Sequence, residues 1–302
     1  SLKYQDQLVR GILGDGRARV FSLRTTELVN EAQRRHNTYP VATAALGRTL
    51  TISLVLGAML KGDESVTVQI RGDGILQGVV ATANSLGHVR GYVGNPHIHL
   101  PLNERGKLAV GEAVGDGLLF VIRDLGLKEN YQGSVPLQTG EIGDDFAYYF
   151  AVSEQTPAVV SLGVLVNPDN TVESAGGLVI QLLPGGEDDE AFVTALEDAV
   201  QKLPAISSVY TGDMTPTRLI HEYFGHLGAK IISESPVSFQ CDCSRERFMR
   251  GLIALGPDEL ADLISHGEPV NTECRFCGEH YEYPLDELQG VLEELQKAKE
   301  RE

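Results

Sequence analysis

The first 240 residues contain no cysteine. That excludes a disulfide framework, a thiolate metal site or a cysteine nucleophile from most of the chain. Positive charge is also scarce. Lys and Arg number 25 against 42 Asp and Glu, giving a formal charge of -17 and a pI near 4.9. A chain this acidic lacks the broad positive field that nucleic acid or an anionic membrane demands, so neither is expected as a partner. The N-terminal stretch Ser1-Leu2-Lys3-Tyr4-Gln5-Asp6-Gln7 has no apolar core of a secretory signal, so the expectation is a chain kept in a reducing cytoplasm. Long hydrophobic runs are almost missing. The single candidate, 41–60, has about the length of a membrane span, yet Arg48 sits near its middle and Thr43, Gly47, Thr49, Thr51 and Ser53 dilute it. A charge at that depth is costly in lipid, so the stretch reads as a helix buried in a protein core.

What is present fits a soluble chain of more than one domain. A length of 302 residues is about twice the usual domain size, and a hydrophobic content of 42% supports a substantial core without metal or disulfides. Residues 1–183 read mostly as strands between glycine turns. Leu8–Leu13 and Ala18–Leu23 flank Gly14-Asp15-Gly16, a hairpin signal. Further strands are expected over 65–70, 75–83, 88–93, 118–123, 132–138, 146–153 and 178–182. The interruption is a helical region over 26–60, polar at first and apolar after Pro40. The class this predicts is α+β, a sheet-rich N-terminal core wrapping an apolar helix.

At Pro184-Gly185-Gly186 the composition changes and acids follow, favouring a helix start. Phe192, Ala195, Leu196, Ala199, Val200 and Leu203 keep helical spacing, and Thr215-Pro216 supplies an N-cap and first-turn proline for a second helix. These helices cannot bury their apolar stripes alone. From about Pro236 a small module begins. Ser244 caps one helix, Pro257 starts another, and 285–302 forms a charged terminal helix. With so few apolar groups the module is marginal on burial alone.

All four cysteines fall in that module, as Cys241-Asp242-Cys243 and Cys274-Arg275-Phe276-Cys277, with Gly278 permitting a tight turn after the last. Two thiol pairs separated by roughly thirty residues suit the tetrahedral preference of Zn²⁺, one ion per chain. The same thiols can close two short disulfides, serve as a thiol oxidoreductase built on Cys274 and Cys277, or act as a switch that loses its metal on oxidation. A closed four-sulfur site has no open position for Lewis-acid hydrolysis. Arg245, Arg247 and Arg275 lie close enough in sequence to offset the site's negative charge.

Other signals carry less. Gly72-Asp73-Gly74-x-x-x-Gly78 misses the dinucleotide fingerprint and precedes a strand rather than a helix, and Arg71-Gly72-Asp73 reads as part of the same turn. His97 and His99 alternate without a third ligand. His221 and His226 miss the i, i+4 spacing of a shared helical face. His280 is the one residue placed to substitute for a thiol ligand, and Asp144-Asp145, with no nucleophile nearby, reads as a turn.

Several segments taken in order form a recognisable pattern: Arg24-Thr25-Thr26, Arg34-Arg35-His36, Ala44-Ala45-Leu46-Gly47-Arg48, Gly143-Asp144-Asp145-Phe146, Ser153-Glu154-Gln155, Ala175-Gly176-Gly177, Phe239-x-Cys241-x-Cys243-Ser244, Glu246-Arg247-Phe248, and Cys274-x-Phe276-Cys277 with Tyr281. In these the chain resembles, nearly end to end, the redox-regulated heat-shock chaperones known as the 33 kDa chaperonins. The resemblance implies a cytoplasmic holdase that works without ATP and is not an enzyme. Its parts would be a core over 1–183, a metastable helical linker over 184–235 and a redox-switch domain over 236–302. Cys241, Cys243, Cys274 and Cys277 would hold zinc in the inactive reduced form. Oxidation would form Cys241–Cys243 and Cys274–Cys277 disulfides, release the zinc, unfold switch and linker, and yield a homodimer that binds unfolding client proteins.

Overall fold

Helix α2 (Pro40–Ala58) organises the larger part of the molecule. In this computed structural model, which describes residues 5–301, the chain divides into two compact units, 1–240 and 241–302. Residues 1–4 of the stretch read for an export signal, and Glu302 at the end of the expected terminal helix, lie outside the described residues.

The first unit opens with β1 (Gln7–Leu13), β2 (Ala18–Arg24), α1 (Thr26–His36) and α2, followed by β3 (Ser65–Gly72), β4 (Val79–Asn84), β5 (His88–Val93), α3 (Val110–Val114), β6 (Gly117–Asp124) and β7 (Tyr131–Pro136). It continues through α4 (Gly143–Val152), β8 (Ala158–Val166), β9 (Val172–Leu182), α5 (Glu190–Gln201), α6 (Ile206–Val209), α7 (Pro216–Phe224), β10 (Lys230–Pro236) and β11 (Ser238–Phe239). One sheet has the order β10-β1-β2-β9-β8 and the other β11-β5-β4-β3-β6-β7. All pairings are antiparallel except the short β11–β5 contact.

The principal core contains α2 together with Leu8, Phe21 and Leu23 of the first sheet and Val66, Val68, Ala81 and Val121 of the second. Strand alternation explains how both sheets present apolar faces to one helix. The helix is buried nearly all round, and its hydroxyl side chains are satisfied internally, whereas the buried Nε of Arg48 has no hydrogen-bond partner among the described residues. Thr49, Thr51 and Ser53 each donate to the carbonyl four residues back, at 2.8, 2.8 and 2.7 Å. Arg48 reaches the carbonyl and carboxylate of Glu141 at 3.1 and 2.8 Å. Arg10 donates to the Ala58 carbonyl at 2.9 Å, placing a cation at the negative end of the helix dipole. Gly47 is a packing requirement, since a Cβ there would stand 2.7 Å from Val164 and 2.8 Å from Val29. Among the described residues α2 is the one helix long and apolar enough to cross a membrane, and 89% of its apolar window is buried, as in a core helix.

A second core lies on the opposite face of the first sheet. Val9, Leu13, Val20, Leu178 and Ile180 meet Phe192 and Leu196 of α5 and Leu219, Ile220 and Phe224 of α7. The apolar stripes expected over 184–235 are buried here. Asp189 caps α5 through the Phe192 amide, and Thr215 caps α7 through the Arg218 amide.

Three expectations need correction. Residues 146–153 form α4 rather than a strand, because Phe146, Tyr149 and Phe150 share one buried helical face. Residues 75–78 form a turn before β4, with Gln77 and Gly78 at φ 59° and 89°. The region 26–60 is two helices, broken where Asn37 adopts a left-handed conformation and Pro40 begins α2. Strands β8 and β10 were absent from the expectation. The first lacks clear alternation because apolar residues fall on both its faces, with Ser161 as its one polar side chain.

The second unit contains α8 (Arg245–Ala254), α9 (Pro257–Ser265), β12 (Val270–Glu273), β13 (His280–Tyr283) and α10 (Leu285–Lys299). Its core is small. Among the described residues, Leu252, Leu260, Tyr283 and Leu288 form the buried hydrophobic cluster, with Phe248, Tyr281 and Leu292 among the partly buried groups around it.

Candidate metal centre

The hairpin of β12 and β13 carries one thiol pair. Pairing of Glu273 with His280 leaves the knuckle Cys274–Glu279 to close on itself. The Cys274 amide donates to the Glu279 carbonyl at 2.8 Å, and the Gly278 amide returns to the Cys274 carbonyl at 2.7 Å. Gly278 has φ 79°, the left-handed conformation expected for it. The other pair, Cys241 and Cys243, precedes α8, whose first turn is fixed by the Ser244 hydroxyl accepting from the Arg247 amide at 3.1 Å.

The four sulfurs lie within 4.8 Å of one another, and none is in a disulfide. Cys241 and Cys274 approach to 3.7 Å, and Cys243 and Cys277 to 3.4 Å. Zinc–sulfur bonds of about 2.3 Å at tetrahedral angles require sulfurs about 3.8 Å apart. The arrangement therefore fits one tetrahedral ion with an all-sulfur donor set. His280 stays outside the cluster, exposed and 3.9 Å from Glu273. Cys274 and Cys277 are buried whereas Cys241 and Cys243 are half-buried. Burial pushes the thiols of Cys274 and Cys277 up, so a cation must displace protons that the fold alone would retain.

Nearby charges take particular partners. Arg247 pairs with Asp242 at 2.8 Å, offsetting the carboxylate between the first two thiols. Arg245 is engaged by both oxygens of Glu287 at 2.6 Å and stacks on Tyr283. It ties α8 to α10 rather than facing the sulfurs. One residue at the cluster carried only a motif match in the sequence. The Tyr281 hydroxyl lies 3.1 Å from the Cys243 sulfur, and its ring packs on Phe248 at 5.3 Å. The hydrogen bond to Cys243, then burial, pushes the Tyr281 phenol above its ordinary range. Its place in β13, four residues past the last cysteine, was the available signal.

The remaining sequence candidates are dispersed. His97 stacks on Tyr39, and His221 and His226 are exposed on the first unit. Asp73 accepts the Asp116 amide at 2.8 Å in a strand-to-strand turn, which leaves no helix N-terminus for a dinucleotide. Asp145 is buried and accepts backbone amides, a structural role.

A family model described as Hsp33 protein matches residues 6–284. The chain belongs to the Hsp33 family. Similar proteins include the 33 kDa chaperonin of Geobacillus kaustophilus, 46% identical over 97% of this chain and 99% of its own. The 33 kDa chaperonin of Bacillus subtilis is 47% identical over 96% and 99%. The crystal structure of the Thermotoga maritima 33 kDa chaperonin superposes with a TM-score of 0.90 at 36% identity, covering 97% of this chain and 99% of that one. The Hsp33-family fold accounts for the mixed architecture, with the cysteine cluster at its C-terminal end.

Proposed function

We propose that this Hsp33-family chain is a redox-regulated, ATP-independent chaperone of the cytoplasm that holds unfolding proteins and performs no catalysis. The observation that carries the reading is a cluster of four sulfurs in a unit whose own buried core is four side chains. Cys241, Cys243, Cys274 and Cys277 hold one zinc ion in the reduced protein. When bound, the ion supplies a cross-link between the two halves of the unit. Apparent zinc free energies of about 10 kcal/mol or more match or exceed the total stability of a small domain. Removing that contribution unfolds so small a core.

Oxidation of Cys241 with Cys243, and of Cys274 with Cys277, withdraws all four ligands. The functional division follows 1–183 as core, 184–235 as linker and 236–302 as switch. Strand β10, an edge strand with exposed residues paired to β1, closes the linker, and in this reading it frays once the switch that follows it in the chain has unfolded. The linker helices then leave the first sheet. That uncovers Val9, Val20 and Ile180 on the sheet, and Phe192, Leu219 and Phe224 on the helices. Each buried apolar side chain of this size represents about 2 kcal/mol of transfer free energy, now available to an unfolded client or to a second oxidised copy. Clients are recognised by exposed apolar chain, and the oxidised form is a homodimer.

The test is a paired assay on reduced and peroxide-oxidised protein with a thermally unfolding client. The reduced form should carry one zinc and leave aggregation unchanged, whereas the oxidised form should have lost zinc and suppress light scattering. Equal suppression by both forms would overturn the switch.

A further inference from the structure

Loop 103–108, the start of α4 and strand β8 border an open cavity of about 590 Å³ on the first unit, which the chaperone reading does not use. One rim is a tight turn. The Asn103 side chain accepts the amides of Arg105 and Lys107 at 2.9 and 3.0 Å, and the Gly106 amide donates to the Asn103 carbonyl at 2.9 Å. The turn sets two cations at the rim, and among the described residues neither side chain has a hydrogen bond or ion pair. Arg48 lines the cavity from α2. Its side chain is 16% exposed and binds Glu141 through Nη1, while the buried Nε is left without an acceptor. A buried donor in that state costs about 1–3 kcal/mol. Between the lining residues Glu141 and Gly143, the buried Ile142 holds φ 78°, a strained conformation for a β-branched residue. Strain and unsatisfied donors of this kind gather at ligand sites.

The lining defines the ligand. Of its three carboxylates, Glu141 is taken by Arg48 and by the Gly111 amide at 3.1 Å, and Asp144 accepts the Thr139 hydroxyl at 3.0 Å. Glu104 alone stands against Arg105, Lys107 and the Arg48 Nε. Unengaged donors therefore exceed unengaged acceptors, and a ligand must bring acceptors of its own. Leu108, Val160 and Leu162 supply apolar surface in the same lining. The volume falls in the range of about 300–1,000 Å³ usual for small-molecule sites, far more than a free oxyanion fills. We infer that this cavity binds a small organic oxyanion. Its apolar or aromatic body lies on Leu108, Val160 and Leu162, and Arg105, Lys107 and Arg48 hold its phosphate or carboxylate group. Guanidinium groups suit either, since both present paired oxygens to the fork. The site shares no residue with the cysteine cluster, which lies in the other unit, so its test is separate from that of the redox reading.

The experiment titrates the full-length, reduced, zinc-loaded protein with four probes and follows backbone amide shifts by NMR. Phenyl phosphate and benzoate carry a ring and differ in the oxyanion. Benzyl alcohol has the ring without the charge, and inorganic phosphate the charge without the ring. At least one aromatic anion should bind saturably and shift the amides of residues 103–108 and 141–144. It should bind about ten-fold or more tightly than benzyl alcohol or inorganic phosphate, because each of those lacks one of the two contacts. The ratio of the two aromatic anions' affinities assigns the preferred oxyanion. The double variant Arg105→Gln/Lys107→Gln changes two exposed side chains and should keep the wild-type melting temperature. It should weaken the aromatic anion about ten-fold or more. Absence of saturable binding by both aromatic anions overturns the site. So does equal binding of benzyl alcohol, or an affinity that the double variant leaves unchanged. Inorganic phosphate binding as tightly as phenyl phosphate overturns the organic body of the ligand.

Discussion

Asp145 shows how much one carboxylate can organise. Fully buried, it accepts the backbone amides of Gln138, Thr139, Gly140 and Ile142 at 2.6, 3.1, 3.3 and 2.8 Å, closing the turn that leads into α4. Replacing it with alanine leaves those donors without an acceptor. Asp145→Ala should lower unfolding free energy by about 3 kcal/mol in urea titration, and a loss below about 1 kcal/mol would contradict the role. In the sequence the Asp144-Asp145 pair read as a turn, whereas both residues lie in the first helical turn of α4. The cysteines were legible at this scale because thiol spacing reports metal chemistry directly. Tyr281 carried only a motif match, since its contact with Cys243 depends on how β13 pairs with β12.

Among the elements, legibility followed periodicity. Helices α5 and α7 announced themselves through caps and apolar spacing, and α2 through a run too interrupted for lipid. Residues 146–153 mislead because aromatic residues favour strands locally, while burial of Phe146, Tyr149 and Phe150 on one side decides for a helix. Strand β8 escaped because Val159 and Leu165 on one face and Val160, Leu162 and Val164 on the other leave little alternation to read. The elements over 184–235 bear the account's main energetic claim, that their packing on the first sheet hides the client surface. Phe224 is fully buried there. Phe224→Ala should destabilise this packing by about 3–5 kcal/mol and let the reduced, zinc-loaded protein suppress client aggregation in part. A reduced variant that is measurably destabilised yet wholly inactive would place the client surface elsewhere.

For the molecule as a whole, the two units differ in what holds them. The first has two extensive cores around and beneath its sheets, whereas the second has four buried side chains and four sulfurs. Their stabilities should therefore separate when the sulfurs are oxidised. Hydrogen exchange by mass spectrometry, on reduced zinc-loaded protein and on the same protein after peroxide, measures this most directly. Oxidation should abolish protection in α8, α9, α10 and the β12–β13 hairpin. It should sharply reduce protection in α5 and α7 and leave α2, β3, β4 and β6 protected. Undiminished protection across residues 241–302 after complete oxidation and zinc loss would contradict the account.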